Sequence, residues 1–474
     1  MRIRLTLAAY LTVIPALGQQ APPPPLSAEP ADRSPIGGPG WSPWITTDNG
    51  EIQWNPSTAY NAWVASLPPD QCAWTVLSTL ETEKPGRSTP PLGIRFMPTP
   101  ASINREAQET EEPPATTWEE MRAALETPEG RALVATLREA LDRPYLGEPL
   151  RFLPGEDTDP ANPALLVANV SAPASLRRFA PLLCAEASRL LENNDPRGFV
   201  ETVTLVHQSG RLIGSHPKGI VLLIKVDLEF IAHDTAAWGI KTYPDRFDDS
   251  LILQLDKLLQ SPVELESGVI RLDGHDSARR MFHPDRLHDQ SPMGSPLQGS
   301  VESLPRPARS VIAGYESLID AAQTLTDSPW SPATQDRDTW IKQVFANIPG
   351  ELKPGPVESL MIDVEAHAIH SFAWSFRHRR LTATGLRLAL AAHRHRLRHG
   401  EFPESIAAFD PDLLPFQPSD AYSGGTLIYR LDGGTPLIYS VGPDRDDDQG
   451  RADPYAARSS GVEWDGDFVI FPPL

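Results

Sequence analysis

Proline sets the first limit on how this chain can fold. Fifty of its 474 residues are proline, about twice the ordinary ~5% usage. Each removes a backbone donor and crowds the turn before it, so it opens a helix, ends one or stiffens a connection. The pattern predicts many short helices joined by rigid, extended loops. Hydrophobic residues make up 40% of the chain and charged residues 22%. That composition is globular, and the length leaves room for roughly two or three domains with a sizeable core.

The first eighteen residues read as a secretory signal peptide. Met1-Arg2-Ile3-Arg4 is positive, Leu5 to Leu17 is apolar without an acid or a base, and Ala16-Leu17-Gly18 puts small residues at a cleavage site. The run is shorter than the ~20 residues that span a bilayer, which favours cleavage over anchoring. Residues 19–43, with Pro22-Pro23-Pro24-Pro25, read as an extended, disordered spacer. The expected location is therefore periplasmic or extracellular, with no stable membrane insertion once the leader is removed. A net charge of −20 repels nucleic acid and anionic lipid, since both need cationic contacts. Such a charge suits divalent cations or basic partners. Cys72 and Cys184 can form at most one disulfide, and two buried thiols fit the sequence equally well.

Residues 44–355 read as an α-helical body. Trp41, Trp44, Trp54, Trp63 and Trp74 form a cluster that could stack on sugars, but the helix-like spacing from Asn61 to Leu67 favours core anchors. Thr117-Trp118-Glu119-Glu120 has a capping-box pattern, continued by Met121, Leu125, Leu133, Leu137 and Leu141 and split at Pro128-Glu129-Gly130. Further helical faces follow: Leu176 to Leu190, Phe199 to Val206, Ile220 to Trp238, and Leu251 to Leu259. Turns at Asn193-Asn194-Asp195-Pro196 and at Gly214-Ser215-His216-Pro217 separate the first three, giving a series of antiparallel helical hairpins. No 34-residue repeat of tetratricopeptide type is present. Arg286 to Arg309 reads as a long loop. Val311 to Leu325 and Trp340 to Asn347 read as helices. Residues 356–474 then form a long helix, with a break expected near Thr382-Ala383-Thr384-Gly385, and a small α+β module.

Within that module Gly400 stands where a left-handed helix cap is needed. Leu427 to Arg430 and Leu437 to Ser440 are strands around an Asp432-Gly433-Gly434 turn, and Phe468 to Phe471 supplies a third. Between the second and third strands lies an acidic loop with Asp444, Asp446, Asp447, Asp448 and Asp453. Asp444, Asp446 and Asp448 fit the first three ligand positions of an EF-hand. The glycine falls one residue late, at Gly450, and Tyr455 occupies the place of the bidentate Glu, which excludes that motif. The loop is either a solvated acidic turn or a cation site.

Gly400-Glu401-Phe402-Pro403, Asp420-Ala421-Tyr422-Ser423-Gly424 and the acidic loop, in this order after a helix, resemble the globular head of type II secretion pseudopilins. The resemblance covers roughly residues 381–455. It implies a shared head fold and a calcium ion held by Asp444, Asp446 and Asp448. Phe402 replaces a Tyr of that pattern and Ala421 a Pro. The preceding helix carries Asp363, Glu365, His367 and many arginines, so the resemblance does not extend to filament assembly. The wider layout, with its Tyr439-Ser440-Val441-Gly442-Pro443-Asp444 stretch, looks like a group of uncharacterised secreted proteins of planctomycete-type bacteria.

Other groupings point more weakly to chemistry. Asp363, His367 and His370 could share a helix face and a metal, but a helix surface explains them better. His393, His395 and His399 sit among arginines whose field repels a cation, and read as surface residues. Ser215-His216-Pro217-Lys218 matches a Ser-x-x-Lys pattern without its partner motifs, and reads as a helix start with a capping serine. Asp273-Gly274-His275-Asp276-Ser277 holds triad residue types but reads as a turn.

The sequence thus points to a mainly α protein: a helical-hairpin body with a small C-terminal α+β, pseudopilin-head-like domain. The expected role is a non-enzymatic scaffold or binding protein whose partner is another protein or a cell-envelope component, with no catalytic residues assigned. The alternatives are a secreted hydrolase with its site in the helical body, and a carbohydrate-binding protein using the N-terminal tryptophans.

Overall fold

A computed structural model describes residues 43–46, 52–80, 118–151, 170–214, 216–260, 267–281, 304–327, 337–451 and 466–472. The leader, the spacer up to residue 42, Trp41, Ser215, residues 286–303 of the long loop, Asp453 and Tyr455 lie outside them.

The chain is mainly helical, with one small three-stranded sheet near its end. A short antiparallel pair comes first, β1 (Trp44–Thr46) with β2 (Ile52–Trp54), in register Trp44 to Trp54. Then follow α1 (Pro56–Ser66), α2 (Trp74–Leu77), α3 (Trp118–Glu126), α4 (Pro128–Leu141), α5 (Ser171–Glu192), α6 (Pro196–Ile213), α7 (Val221–Thr242), α8 (Asp249–Leu259), α9 (Ser267–Met281), α10 (Arg306–Asp327), α11 (Arg337–Asn347) and α12 (Pro356–His399).

Proline opens helices here more than it breaks them. Pro56, Pro128, Pro196 and Pro356 occupy first-turn positions, where the missing N–H has no partner to lose. Side chains cap three of these starts: Asn55 accepts from Thr58 N at 3.0 Å, Thr127 from Gly130 N at 3.0 Å and Asp195 from Gly198 N at 2.9 Å. Helices therefore run longer than the proline count suggests. α5 and α7 each have 22 residues, and α5 carries Pro181 within it.

The expected break in the last helix is absent: α12 is one helix of 44 residues. Thr382 and Thr384 donate their hydroxyls to the carbonyls of His378 and Arg380, four residues back, and so stay in register with the helix. Gly385 is buried, and a Cβ there would lie 2.5 Å from Ile470 Cδ1 of the last strand. Packing, rather than helix propensity, places the glycine. Gly400 ends the helix at φ 87°, with its N–H on Arg396 O at 2.8 Å, as the sequence indicates.

α5, α6 and α7 pack on one another as the core of the body. α12 packs against α7, α8, α10 and α11 and also against the sheet. The sheet has order β3 (Ile428–Asp432), β4 (Thr435–Ser440), β5 (Phe468–Phe471), all antiparallel. Gly433 and Gly434, both at positive φ, make the two-residue turn of the β3–β4 hairpin. One apolar cluster extends from Tyr60 through α5–α7 and α12 to Phe471. A smaller one joins α9, α10 and Met361, and a third, of Leu437, Tyr439 and Val469, lines the sheet. Trp74 is buried and Trp63 packs on the core beside Tyr60 and Tyr145, which makes both of them core anchors. Cys72 and Cys184 are separate, buried free thiols. Among the described residues no helix is long and apolar enough to cross a membrane.

Candidate functional site

The acidic loop leaves β4 through Ser440 and turns back toward β5. Gly442, Arg445, Gln449 and Gly450 all adopt positive φ, which curls the segment tightly. The curl brings one carboxylate oxygen each of Asp444, Asp446 and Asp448 within 4.8 Å of one another. Asp447 turns elsewhere: its Oδ1 accepts from Tyr439 Oη at 3.0 Å and from Gln449 N at 2.9 Å. Asp444 Oδ2 accepts from Gly466 N at 2.9 Å, tying the loop to the start of β5.

Asp467 is the residue that spacing did not reveal. It is 1% exposed, and its Oδ2 accepts from Gly450 N at 2.6 Å. Its Oδ1 and the Oδ2 of Asp448 are buried oxygens without a hydrogen-bond partner. Burial pushes the Asp467 carboxyl up to about 6; N–H groups of Gly450 and Asp448 oppose the rise, and the charges of Asp447 and Asp448 add to it. Burial likewise raises Asp444, against the Gly466 N–H and together with the charge of Asp446. The loop gathers more negative charge than its own donors offset. Arg451, on Asp448 Oδ1 at 2.9 Å, is largely exposed and compensates weakly.

The other tail residues singled out from the sequence are structural. Asp420 is buried, with Oδ1 accepting from Tyr422 N at 2.9 Å and Ser440 Oγ at 2.7 Å, and Oδ2 from Ser423 Oγ at 2.8 Å. Tyr429 Oη donates to Pro403 O at 2.9 Å, which fixes the Phe402-Pro403 turn against β3.

The histidines at the end of α12 are not all surface residues. His393 is buried edge-on to Phe402 and Phe471, with ring centroids at 5.1 and 5.9 Å, and burial pushes it down to about 4. His395 is buried too, against His399 and Phe409. Both are covered because the Phe402 turn, the Phe409 segment and β5 fold over that face. Asp363, His367 and His370 do not converge: His367 Nδ1 meets the Asp363 carbonyl at 2.6 Å, and His370 is buried against Trp340.

Asp273 to Ser277 lies inside α9 rather than in a turn. His275 and Arg271 both hold Glu316, His275 Nε2 at 3.0 Å and Arg271 Nε at 2.8 Å. Burial favours the neutral Glu316, but these two partners outweigh it and hold the carboxyl down at about 2. His216 is buried, accepts from Lys218 N at 3.3 Å, and is pushed by burial down to about 3.

The body also holds a sealed polar cluster. Glu229 of α7 pairs with Arg379 of α12. His207 of α6 stacks on His233 of α7 at 5.8 Å, and Gly210 gives Glu229 room, since a Cβ there would lie 3.1 Å from Glu229 Cγ. Burial first, then Arg379, pushes His207 down to about 3 and His233 well below its ordinary value. The sequence signal was the row Lys225, Asp227, Glu229, which interrupts an otherwise apolar run.

Two groups of three ligand side chains lie within reach of a single ion among the described residues: Asp444, Asp446 and Asp448, and His395, His399 and Asp410. The chain matches no protein family, no curated protein and no solved structure.

Proposed function

We propose that this chain is a non-enzymatic exported scaffold or binding protein of the cell envelope, with a calcium ion bracing its C-terminal acidic loop. One observation carries the cation: Asp444, Asp446 and Asp448 converge within 4.8 Å beside two buried, unpartnered carboxylate oxygens, on Asp448 and Asp467. Calcium binds oxygen ligands at ~2.3–2.6 Å, so oxygens on opposite sides of the ion stand roughly 4.6–5.2 Å apart, which this cluster can span. An all-carboxylate donor set suits a hard cation. The bound charge would offset the mutual repulsion of the carboxylates and hold the loop to the start of β5.

The hydrolase alternative has less support. His207, Glu229, His233 and Arg379 are sealed from solvent, and His275 is held with Arg271 on Glu316. The sugar-binding alternative is weakened by the burial of Trp74.

The test is thermal unfolding of the full chain with calcium and with a chelator. Calcium should raise the melting temperature, and Asp446→Ala with Asp448→Ala should abolish the response. A melting temperature indifferent to both additions would remove the ion from the proposal.

A further inference from the structure

We propose a second cation site, for a borderline transition-metal ion of the Zn²⁺ class, formed by His395, His399 and Asp410. The two histidines lie four residues apart on α12, so their rings share one face, with centroids at 4.3 Å. Asp410 arrives from the segment after the Phe402 turn. One ring nitrogen of each histidine and one carboxylate oxygen of Asp410 lie within 4.8 Å of one another. His399 Nε2 already meets Asp410 Oδ2 at 2.8 Å. Histidine pairs at this helical spacing with one carboxylate make an N₂O donor set that suits zinc, with a fourth position left for water.

Two further observations separate this cluster from a chance surface grouping. His395 is buried, and its Nδ1 is out of solvent with no hydrogen-bond partner, so an ion held there would supply what that nitrogen lacks. Phe409 packs against the ring and holds it in place. Second, the arginines that make this stretch look cationic in sequence are each engaged by a carboxylate. Arg394 pairs with Asp249 at 2.6 Å, Arg396 with Asp245 at 2.8 Å, and Arg398 with Asp410 and Asp412 at 3.0 Å. Arg394 and Arg396 are thus offset by carboxylates outside the cluster, whereas Arg398 shares Asp410 Oδ2 with His399 and would yield that oxygen to an ion while keeping Asp412. An ion here would clip the last turn of α12 to the segment that carries Asp410.

The test uses the full chain, stripped with a chelator and titrated with Zn²⁺ by calorimetry, and with Co²⁺ by visible absorption. One equivalent of Zn²⁺ should bind without being displaced by excess Ca²⁺, and Co²⁺ should develop the intense band of a low-coordinate site with nitrogen ligands. Asp410→Asn and His399→Gln change partly exposed side chains and should leave the fold intact. Each should weaken Zn²⁺ binding beyond the ~10–100-fold that losing a supporting hydrogen bond costs a metal site. Asp446→Ala with Asp448→Ala should leave Zn²⁺ binding unchanged, so this site and the acidic loop stand or fall separately. Absence of stoichiometric Zn²⁺ uptake, or wild-type affinity in both single variants, overturns the assignment.

Discussion

Arg379 and Glu229 form an ion pair in which each side chain is only 2% exposed, joining α12 to α7 in the middle of the body. Withdrawing two charges from water is costly, and their attraction roughly repays it only while both are present. Arg379→Met should therefore destabilise the chain by about 3–5 kcal/mol. Adding Glu229→Leu to Arg379→Met should recover much of that loss, because no buried carboxylate then lacks its counter-charge. Urea unfolding of the two variants measures the difference. A double variant no more stable than the single one would show that the pair is worth more than its desolvation cost.

Acid should unfold this protein through its buried histidines. Burial holds His207 and His216 near about 3 and His378 near about 4, with His233 also well below the ordinary value. Above pH ~6.5 neither the folded nor the unfolded chain protonates these rings. As pH falls below that, the unfolded chain takes up protons that the folded chain cannot, so stability is lost on the acid side. Each histidine contributes a slope of about 1.4 kcal/mol per pH unit. Four together give roughly 5–6 kcal/mol per unit near pH 5. Denaturant melts at pH 7 and pH 5 read this directly, and His233→Leu should reduce the slope by about one proton. Equal stability at the two pH values would contradict it.

Gly385→Ala sets two terms of opposite sign against each other. Alanine gains about 1 kcal/mol of helix propensity over glycine. The new Cβ would meet Ile470 Cδ1 at 2.5 Å and Cγ2 at 2.7 Å, and overpacking of this kind costs about 1–3 kcal/mol. The clash should win, by roughly 1 kcal/mol. In an Ile470→Ala background the same substitution should turn neutral or stabilising. A thermal-melt double-mutant cycle showing additivity would mean that Gly385 and Ile470 do not share this space.

Asp420→Ala removes the acceptor for the Tyr422 N–H and the hydroxyls of Ser423 and Ser440. Hydrogen bonds to a charged acceptor contribute about 1.5–3 kcal/mol, and the donors left behind are partly or fully buried. The expected loss is about 3 kcal/mol. Amide exchange should rise first in β4, where Ser440 is anchored. Unchanged protection of β4 would assign Asp420 to its own turn alone.

Local signals in the sequence were reliable wherever the partners of a residue were close along the chain. Gly400 ends α12 in the left-handed region, and Gly433-Gly434 turns β3 into β4, because a backbone conformation alone dictates glycine there. Apolar spacing located most helices of the body for the same reason, though α9 reads as a turn around Asp273–Ser277. Signals failed where the deciding contact came from far away. His393 reads as exposed among arginines until Phe471 covers it. Arg394 and Arg396 look like uncompensated charge until Asp249, at the start of α8, and Asp245, in the turn between α7 and α8, reach them. Glu229 looks like a flaw in an apolar run until Arg379 is brought beside it. The Asp444, Asp446 and Asp448 cluster is visible from its alternation, while Asp467 reaches Gly450 of the same loop only through the pairing of β5 with β4.

α12 extends for 44 residues, about 66 Å at ~1.5 Å per residue. It is paired with the sealed Glu229 cluster through Arg379 near its middle and packs on the last strand from His378 to His393. If that shared helix couples the two regions, they should open as one cooperative unit. Whatever saturates the far end of that helix adds its mass-action term, RT ln(1 + [L]/Kd), to the opening free energy of amides in α6 and α7 that it never touches. Native-state hydrogen exchange in the body would then slow as the free ion concentration around the tail rises, and speed up as it falls.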